Sequence, residues 1–129
     1  MLFRSDDVER LRMDADFLLI DARAPERYRG EVEMIDPVAG HIPGAVNHFY
    51  QSNVNPEGTF LAPHVLRMRF EELRGDRPTQ NIVCYCGSGV SACHNLLAME
   101  HAALSGAKLY AGSWSEWCAD ASRPFATGD

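Results

Sequence analysis

The feature that most constrains the fold is an apolar run that stops at a cysteine and passes through small residues into a helical pattern. Residues 82–85 read IVCY, Cys86 follows them, and Gly87 and Gly89 come next. A short apolar run of this kind predicts a buried strand, and the glycines predict a tight turn. Because apolar residues recur with helical spacing over residues 91–104, a helix is predicted after the turn.

The rest of the chain repeats this alternation of strands and helices. Further strands are predicted at residues 17–21, 45–49 and 108–112, and helices at residues 5–13, 24–30, 63–73 and 113–120. Ser5 and Ser113 are the expected N-caps of the first and last helices. Alternating elements predict helices on both faces of a parallel sheet, and we expect an α/β fold with three α/β/α layers and about five mainly parallel strands. The chain has no internal repeat or linker, so residues 1–129 are expected to form a single domain.

The composition and charge of the chain exclude several classes of partner. The net charge is −6, so neither nucleic acid nor an acidic membrane surface is expected to bind. No apolar run is long enough to cross a membrane, and residues 1–11 lack the apolar centre of a signal peptide. We therefore expect a cytoplasmic protein.

The sequence contains four cysteines, and their pairing state decides what chemistry they can perform. They are Cys84, Cys86, Cys93 and Cys118. Reduced thiols are expected, because no signal sequence directs the chain to an oxidising compartment. Zinc is the alternative, but paired zinc ligands usually have two residues between them, whereas one residue separates Cys84 from Cys86. We therefore expect no metal and no cofactor.

Cys86 differs from the other cysteines because it stands at the end of a predicted strand. Ligands of open α/β sheets gather beyond the carboxyl ends of strands, and the following helix directs its free N–H groups there. Glycines let successive N–H groups surround one point, and serine hydroxyls add donors. The expected cradle comprises Gly87, Ser88, Gly89, Val90 and Ser91. Such a cradle binds an anion and favours the thiolate of Cys86 over the thiol.

A buried strand end followed by a plain glycine turn is the alternative interpretation of Cys86, because buried cysteine is common. Cys84 lies within the strand and Cys93 on the helix, so both are expected to be structural, as is Cys118. The agreement of turn, helix and thiol favours a functional interpretation for Cys86 alone.

Four motifs in a fixed order give the chain a resemblance to a known family. The motifs are IDARAPERYRGEV, AGHIPGAVN, CGSGVSA and LYAGSWSEW. Together they resemble the rhodanese family of sulfurtransferases, and more narrowly the C-terminal catalytic domain of two-domain thiosulfate or 3-mercaptopyruvate sulfurtransferases. The resemblance extends from about Asp16 to Pro124. It implies a rhodanese-like fold, either as a single domain or as the C-terminal half of a parent protein with an N-terminal rhodanese domain.

The resemblance implies covalent sulfur transfer in two steps. Cys86 attacks the outer sulfur of thiosulfate or 3-mercaptopyruvate and becomes a persulfide, and a thiol or cyanide then removes that sulfur. The cradle of residues 87–91 is implied to hold the anionic persulfide between the steps. Arg27 matches an arginine that contacts the sulfonate or carboxylate of the donor in the family; a solvated helix residue is the alternative. His41 is implied to tie a loop to the sheet, and Asp21 is expected to act as an orienting hydrogen-bond acceptor.

Two departures from the family pattern bear on the choice of donor. The loop has no charge between Cys86 and Ser91, which resembles the mercaptopyruvate type. Mercaptopyruvate enzymes usually have a second arginine nine residues after the one matched by Arg27, and this chain has Asp36 there. A missing positive charge weakens carboxylate binding directly, whereas a neutral loop still offers N–H donors. We therefore expect a slight preference for thiosulfate.

Two other functions compete with small-molecule sulfur transfer. Cell-cycle dual-specificity phosphatases share the implied fold, but cysteine phosphatases need an arginine six positions after the nucleophile, where this chain has Ala92. A sulfur carrier or regulatory module that acts with a protein partner stays open, because fold does not determine function. The intact Cys86 argues against a domain kept only for its fold, but it does not separate a carrier from an enzyme.

Overall fold

The computed structural model describes residues 3–129, which form one sheet of four parallel strands with helices on both faces. The strands are β1 (Leu18–Asp21), β2 (Val46–Asn47), β3 (Ile82–Tyr85) and β4 (Lys108–Leu109), in the spatial order β2-β1-β3-β4. β1 and β3 pair over their full length, from Leu18 opposite Ile82 to Asp21 opposite Tyr85. Every residue of these two strands is buried, as expected for the centre of a parallel sheet.

The α-helices of the described chain are α1 (Ser5–Leu11), α2 (Pro25–Tyr28), α3 (Pro63–Arg74), α4 (Val90–His101) and α5 (Ser113–Ala119). Because side chains alternate along a strand, β3 directs Ile82 and Cys84 to one face of the sheet and Val83 and Tyr85 to the other. The first face packs against α3 and α4, and the second against α1, α2 and α5. In the part of the chain that the structure describes, no helix combines the length and the apolar character needed to cross a bilayer.

The expected α/β/α layers and parallel sheet are confirmed, but the expected fifth strand is wrong for residues 3–129. Elsewhere in this range, extended segments pair only as isolated bridges, His41 with Ala126 and Val54 with Phe60. The second bridge does not lengthen outward, because a 3-10 helix over Tyr50–Asn53 ends just before it and α3 begins at Pro63 just after it. The chain between its two residues bends into a turn. The side chain of Asn55 holds that turn by accepting backbone N–H groups from within it.

The edge strands are shorter than predicted. β2 and β4 contain two residues each, whereas residues 45–49 and 108–112 were the expected ranges. Just after β4, the Tyr110 N–H bonds to the Cys84 carbonyl of β3 at 3.0 Å. The next bond of this kind comes from the Trp114 N–H, which bonds to the Cys86 carbonyl at 2.9 Å. Residues 111–113 therefore leave the sheet so that α5 can begin beside Cys86.

The two predicted serine caps are also wrong. Ser5 and Ser113 are the first residues of their helices, and the N-caps are Arg4 and Gly112. At the first helix, the Asp7 carboxylate accepts the Arg4 N–H at 2.9 Å, which is the bond that an acidic third residue makes back to the N-cap. At the last helix, Ser113 has φ +57° and uses its hydroxyl for another purpose, described below.

Candidate active site

The carboxyl end of β3 places a cysteine at the N-terminus of α4. Cys86 is 2% exposed, and its Sγ accepts a hydrogen bond from the Gly89 N–H at 3.0 Å. Gly89 is the N-cap of α4, and the first N–H groups of an α-helix have no acceptor within the helix. The aligned peptide dipoles add partial positive charge at the same end. A negative charge on this sulfur is therefore stabilised by a donated N–H and by the helix.

The two glycines of the loop have different roles. Gly89 has φ +97°, and a Cβ there would lie 2.6 Å from the Ala111 carbonyl oxygen, so only glycine fits without displacing the backbone. At Gly87 a Cβ would meet the guanidinium nitrogens of Arg27 at 3.5 Å, an ordinary contact. Gly89 is therefore required by the backbone, whereas Gly87 lies directly beneath an arginine side chain.

The start of α5 also holds residues 86–89 in place, and we call these residues the thiol loop. The Ser113 hydroxyl accepts the Cys86 N–H at 3.0 Å and donates to the Tyr110 carbonyl at 2.9 Å. The N–H groups of Trp114 and Ser115 bond to the carbonyls of Cys86 and Gly87, each at 2.9 Å. Sequence reasoning noted the motif around these residues but did not assign them to the site. The positive φ of Ser113 and the bonds from the Trp114 and Ser115 N–H groups become apparent only when α5 is packed against the loop.

Two of the remaining three cysteines are less suited to act as nucleophiles. All four thiols are free. Burial, with smaller effects from its neighbours, raises the pKa of Cys84 to about 12, so this residue stays a thiol at neutral pH. Burial, followed by the charge of Asp36, raises the pKa of Cys118. Cys93 is exposed and its Sγ donates to the Gly89 carbonyl at 3.4 Å. Across residues 3–129, no group of three or more His, Cys, Asp or Glu side chains is arranged to hold a metal ion.

Arg27, on the last turn of α2, reaches the thiol loop but is already paired with carboxylates. Its Nη2 lies 3.1 Å from the Glu33 carboxylate and 3.6 Å from that of Asp36. The side chain is 25% exposed. Donor binding by Arg27 stays a prediction, and any anion that binds there shares the guanidinium with Glu33 and Asp36.

Glu33 is a residue of this region that sequence reasoning missed. Its side chain is 5% exposed, and it accepts the N–H groups of Ile35 and Asp36 at 3.1 and 3.0 Å. Burial alone would raise the pKa of Glu33, but these N–H donors and Arg27 outweigh burial and hold its pKa below the ordinary range. Glu33 therefore organises the loop at residues 33–36 as a carboxylate.

A cleft of about 130 Å³ opens beside the thiol loop. It is lined by Arg27, Ile35, Asp36, Gly87, Ser88 and Ser115. Of the five predicted cradle residues, Gly87 and Ser88 line this cleft and Gly89 donates to Cys86. Val90 and Ser91 form the first turn of α4, and the Val90 side chain is exposed. The part that Val90 and Ser91 play in binding persulfide stays a prediction.

A larger surface depression of about 510 Å³ lies away from the thiol loop, lined by His48, Ser52, Arg69, Glu72 and Leu73. It contains no cysteine, and the size of a depression alone does not identify a reactive site. The smaller cleft is lined by Arg27 and by Gly87 and Ser88, which directly follow Cys86 in the chain.

The residues with expected structural roles lie behind the cleft. Asp21 accepts the Arg23 backbone N–H at 2.9 Å and pairs with its guanidinium at 2.8 Å. Arg23 also donates to the Gly40 carbonyl at 2.6 Å. The His41 ring nitrogen Nδ1 is hydrogen-bonded to the Tyr28 carbonyl at 2.7 Å, and the two rings stack. These contacts tie the loop around residue 40 to β1 and α2.

The sequence matches the rhodanese-like domain family over residues 5–120, and the chain belongs to that family. It is 57% identical over 111 residues to a Pseudomonas aeruginosa protein named "Probable 3-mercaptopyruvate sulfurtransferase", a match that covers 86% of this chain and 39% of that protein. It is 36% identical over 121 residues to the sulfur carrier protein TtuD of Thermus thermophilus, covering 86% of this chain and 41% of that one. Names of this kind support sulfur transfer as the general chemistry of these relatives.

The chain thus spans about two fifths of the length of these two relatives. Among solved structures, wild-type EanB resembles the chain with a TM-score of 0.87 and 23% identity, over 99% of this chain and 32% of that one. At this identity the likeness shows the fold, and it carries no further conclusion about activity.

Proposed function

We propose that the chain moves sulfane sulfur from a small donor to an acceptor through a persulfide on Cys86. The observation that carries the proposal is the hydrogen bond of 3.0 Å from the Gly89 N–H to Cys86 Sγ at the N-terminus of α4. A donor in this position stabilises the thiolate of Cys86. Membership of the rhodanese-like family supports the same chemistry.

The proposed reaction has two steps. With thiosulfate, the Cys86 thiolate attacks the outer sulfur, a bond forms between Sγ and that sulfur, and the sulfur–sulfur bond of thiosulfate breaks. The electron pair of that bond leaves on sulfite. In the second step, cyanide or the thiolate of an acceptor attacks the outer sulfur of the persulfide, and Sγ keeps the electron pair of the bond that breaks. The Cys86 thiolate is thereby restored.

Thiosulfate is the proposed donor, with Arg27 as the residue that binds its charged end. Arg27 lines the cleft together with Gly87 and Ser88, and a guanidinium suits the oxygens of an oxyanion. 3-Mercaptopyruvate is the second candidate, because the loop is neutral and the Pseudomonas aeruginosa relative carries that substrate in its name. The carboxylate of this donor must lie farther from the thiol, where Asp36 repels it. A compact dianion can stay beside the N–H groups of the loop.

A sulfur carrier is the alternative function, supported by the similarity to TtuD. An enzyme and a carrier form the same persulfide but differ in the acceptor, which is a small molecule for the enzyme and a partner protein for the carrier. We also propose that a parent protein contributes a preceding rhodanese domain, since the relatives are more than twice as long as the matched region. The same rate measurement on the chain and on such a parent reports whether that domain is needed.

The test of the proposed function is the formation and turnover of the persulfide. Incubation with thiosulfate should add one sulfur atom to the mass of the chain, and Cys86→Ala should abolish the addition. Cys93→Ser is the matched control, because it removes an exposed thiol on α4, the helix that follows Cys86, and should leave the addition intact. An adduct that persists in Cys86→Ala would assign the chemistry to another cysteine.

Steady-state rates with cyanide as acceptor, measured with thiosulfate and with 3-mercaptopyruvate, then identify the donor. A faster reaction with 3-mercaptopyruvate would contradict the choice of thiosulfate. Multiple turnovers with cyanide support an enzyme. A persulfide that forms but is not discharged by cyanide or small thiols supports the carrier.

A further inference from the structure

Five charged side chains form one linked group in and behind the wall of the cleft, and their charges do not cancel. They are Asp21, Arg23, Arg27, Glu33 and Asp36, with side-chain exposures between 0% and 25%. Ion pairs of 2.8 to 3.6 Å link each of the two guanidinium groups to two of the three carboxylates. The group therefore carries one uncompensated negative charge, largely shielded from water.

Asp36 is the carboxylate with the weakest pairing in this group. Asp21 accepts hydrogen bonds from the Arg23 side chain, and Glu33 accepts two from Arg27 Nη2, at 3.1 and 3.3 Å. Asp36 Oδ2 lies 3.6 Å from Arg27 and accepts no hydrogen bond from any residue in the range 3–129. The Asp36 side chain is 8% exposed. A buried carboxylate oxygen without a donor is unfavourable, so the position favours a ligand that supplies one.

Asp36 is connected to the thiol loop through α5. Its Oδ1 accepts the Ser115 hydroxyl at 2.7 Å, and the Ser115 N–H bonds to the Gly87 carbonyl at 2.9 Å. Asp36, Ser115, Gly87 and Ser88 all line the same cleft of about 130 Å³. A small molecule that reaches Cys86 through this cleft therefore passes the carboxylate.

We propose that the cleft selects a sulfur acceptor that carries a protonated amine, with Asp36 as the counter-ion. The chemical class is a short aminothiol, whose ammonium group donates to Asp36 and whose sulfur faces the thiol loop. Such a ligand neutralises the uncompensated charge, whereas an anionic thiol is repelled by it. This proposal rests on the persulfide function proposed above and names the acceptor for the second step.

The transfer to the aminothiol balances without another reactant. The acceptor thiol gives its proton to the outer sulfur of the anionic Cys86 persulfide, and the resulting thiolate attacks that sulfur and forms a new sulfur–sulfur bond. The bond between that sulfur and Cys86 Sγ breaks, and its electron pair returns to Sγ as the thiolate. The proton stays on the transferred sulfur, and the product is the hydropersulfide of the aminothiol.

The test compares three thiols of similar size and different charge: cysteamine as the cation, 2-mercaptoethanol as the neutral reference and 3-mercaptopropionate as the anion. Cys86 is first loaded with sulfur from thiosulfate, and excess donor is removed. Mass spectrometry then follows the loss of the added sulfur, and each rate is divided by the thiolate fraction of its acceptor. We expect cysteamine to react about tenfold faster than 3-mercaptopropionate, a ratio that falls as salt is added.

Asp36→Asn removes the charge and keeps an oxygen that can accept from Ser115. We expect this variant to lower the ratio of the cysteamine rate to the 3-mercaptopropionate rate to about two. Glu31→Gln is the matched control, because Glu31 lies just before the loop at residues 33–36, pairs with Arg29 and has a side chain that is 56% exposed. It should keep the ratio of the unmodified chain. Damage to the fold would slow all three thiols together, and the neutral thiol detects it.

Two outcomes overturn the proposal in different ways. If the persulfide forms normally but cysteamine shows no advantage, or keeps its full advantage in Asp36→Asn, the amine site is wrong and the persulfide function stands. If no persulfide forms in the unmodified chain, the proposed function fails and the acceptor assignment fails with it.

Discussion

Replacing Gly89 by alanine is expected to weaken both the fold and the reactivity of Cys86. Gly89 has φ +97°, and placing alanine in the left-handed region costs about 1–2 kcal/mol. The added Cβ would also lie 2.6 Å from the Ala111 carbonyl oxygen, and relieving such a contact costs about 1–3 kcal/mol. We therefore expect the free energy of unfolding to fall by about 2–5 kcal/mol, measured by urea denaturation.

The same substitution should reduce the reactivity of the thiol in the folded chain. Moving the N-cap away from Ala111 also moves the Gly89 N–H, which donates to Cys86 Sγ at 3.0 Å. A hydrogen bond to a charged group contributes about 1.5–3 kcal/mol, so alkylation of Cys86 by iodoacetamide should slow by about tenfold to a hundredfold. Peptide mass spectrometry measures the alkylation rate of Cys86 separately from that of Cys93. The measurement is made under conditions where the urea denaturation curve shows that the variant is folded.

Two other glycines provide the controls. Gly58 has φ +86°, and a Cβ added there would have no atom within 4 Å, so Gly58→Ala isolates the dihedral strain. Gly87 lacks a positive φ and its Cβ would make an ordinary contact, so Gly87→Ala should change stability by less than about 0.5 kcal/mol. If Gly89→Ala is no less stable than Gly58→Ala and Cys86 keeps its alkylation rate, neither the contact with Ala111 nor the N–H donor has the role described above.

Three further predictions concern donor binding, oxidation and pH. Arg27→Gln should raise the KM for thiosulfate by about tenfold while the adduct still forms at high donor concentration, and an unchanged KM would remove Arg27 from donor binding. Dilute hydrogen peroxide should oxidise Cys86 before Cys93, as measured by peptide mass spectrometry; preferential loss of Cys93 would contradict the reactivity assigned to the loop. Burial lowers the pKa of His41 and of His48 below 6.5. The unfolded chain therefore binds more protons than the folded one, and the free energy of unfolding should fall as pH drops through about 6.5, less steeply in His41→Gln; a flat profile between about pH 7.5 and 5.5 would refute this linkage.

The central part of the fold could be predicted because its signals are local. β1 and β3 are continuous apolar runs buried on both faces, and Gly89 marks the turn where β3 passes to α4. The edge strands were predicted too long, because a parallel pair of two residues has no pattern that distinguishes it from the loop that follows. Cys86 combined all of these local signals, and the structure gives it the predicted position at a strand end and a helix N-terminus.

The contacts that complete the site could not be predicted because they join distant parts of the chain. The hydrogen bond from Cys86 to Ser113 spans 27 residues, and the bond from Ser115 to Asp36 spans 79. In the sequence, Asp36 stands out only as the absence of an expected arginine. Asp36 lies buried near Arg27 because the Glu33 carboxylate holds this loop by accepting its backbone N–H groups. No sequence pattern marks Glu33 for that role.

Arg27 and Asp36 together provide a physical reason for one cleft to serve both steps of the proposed reaction. In the first step the donor is an anion, and it competes with Asp36, 3.6 Å away, for the guanidinium of Arg27. In the second step the proposed acceptor is a cation, and it competes with Arg27 for the carboxylate. Each ligand replaces one member of an existing ion pair, so neither member needs to return to water between steps. Because sulfite leaves in the first step of the proposed reaction, the two charges would be used in turn at the same thiol.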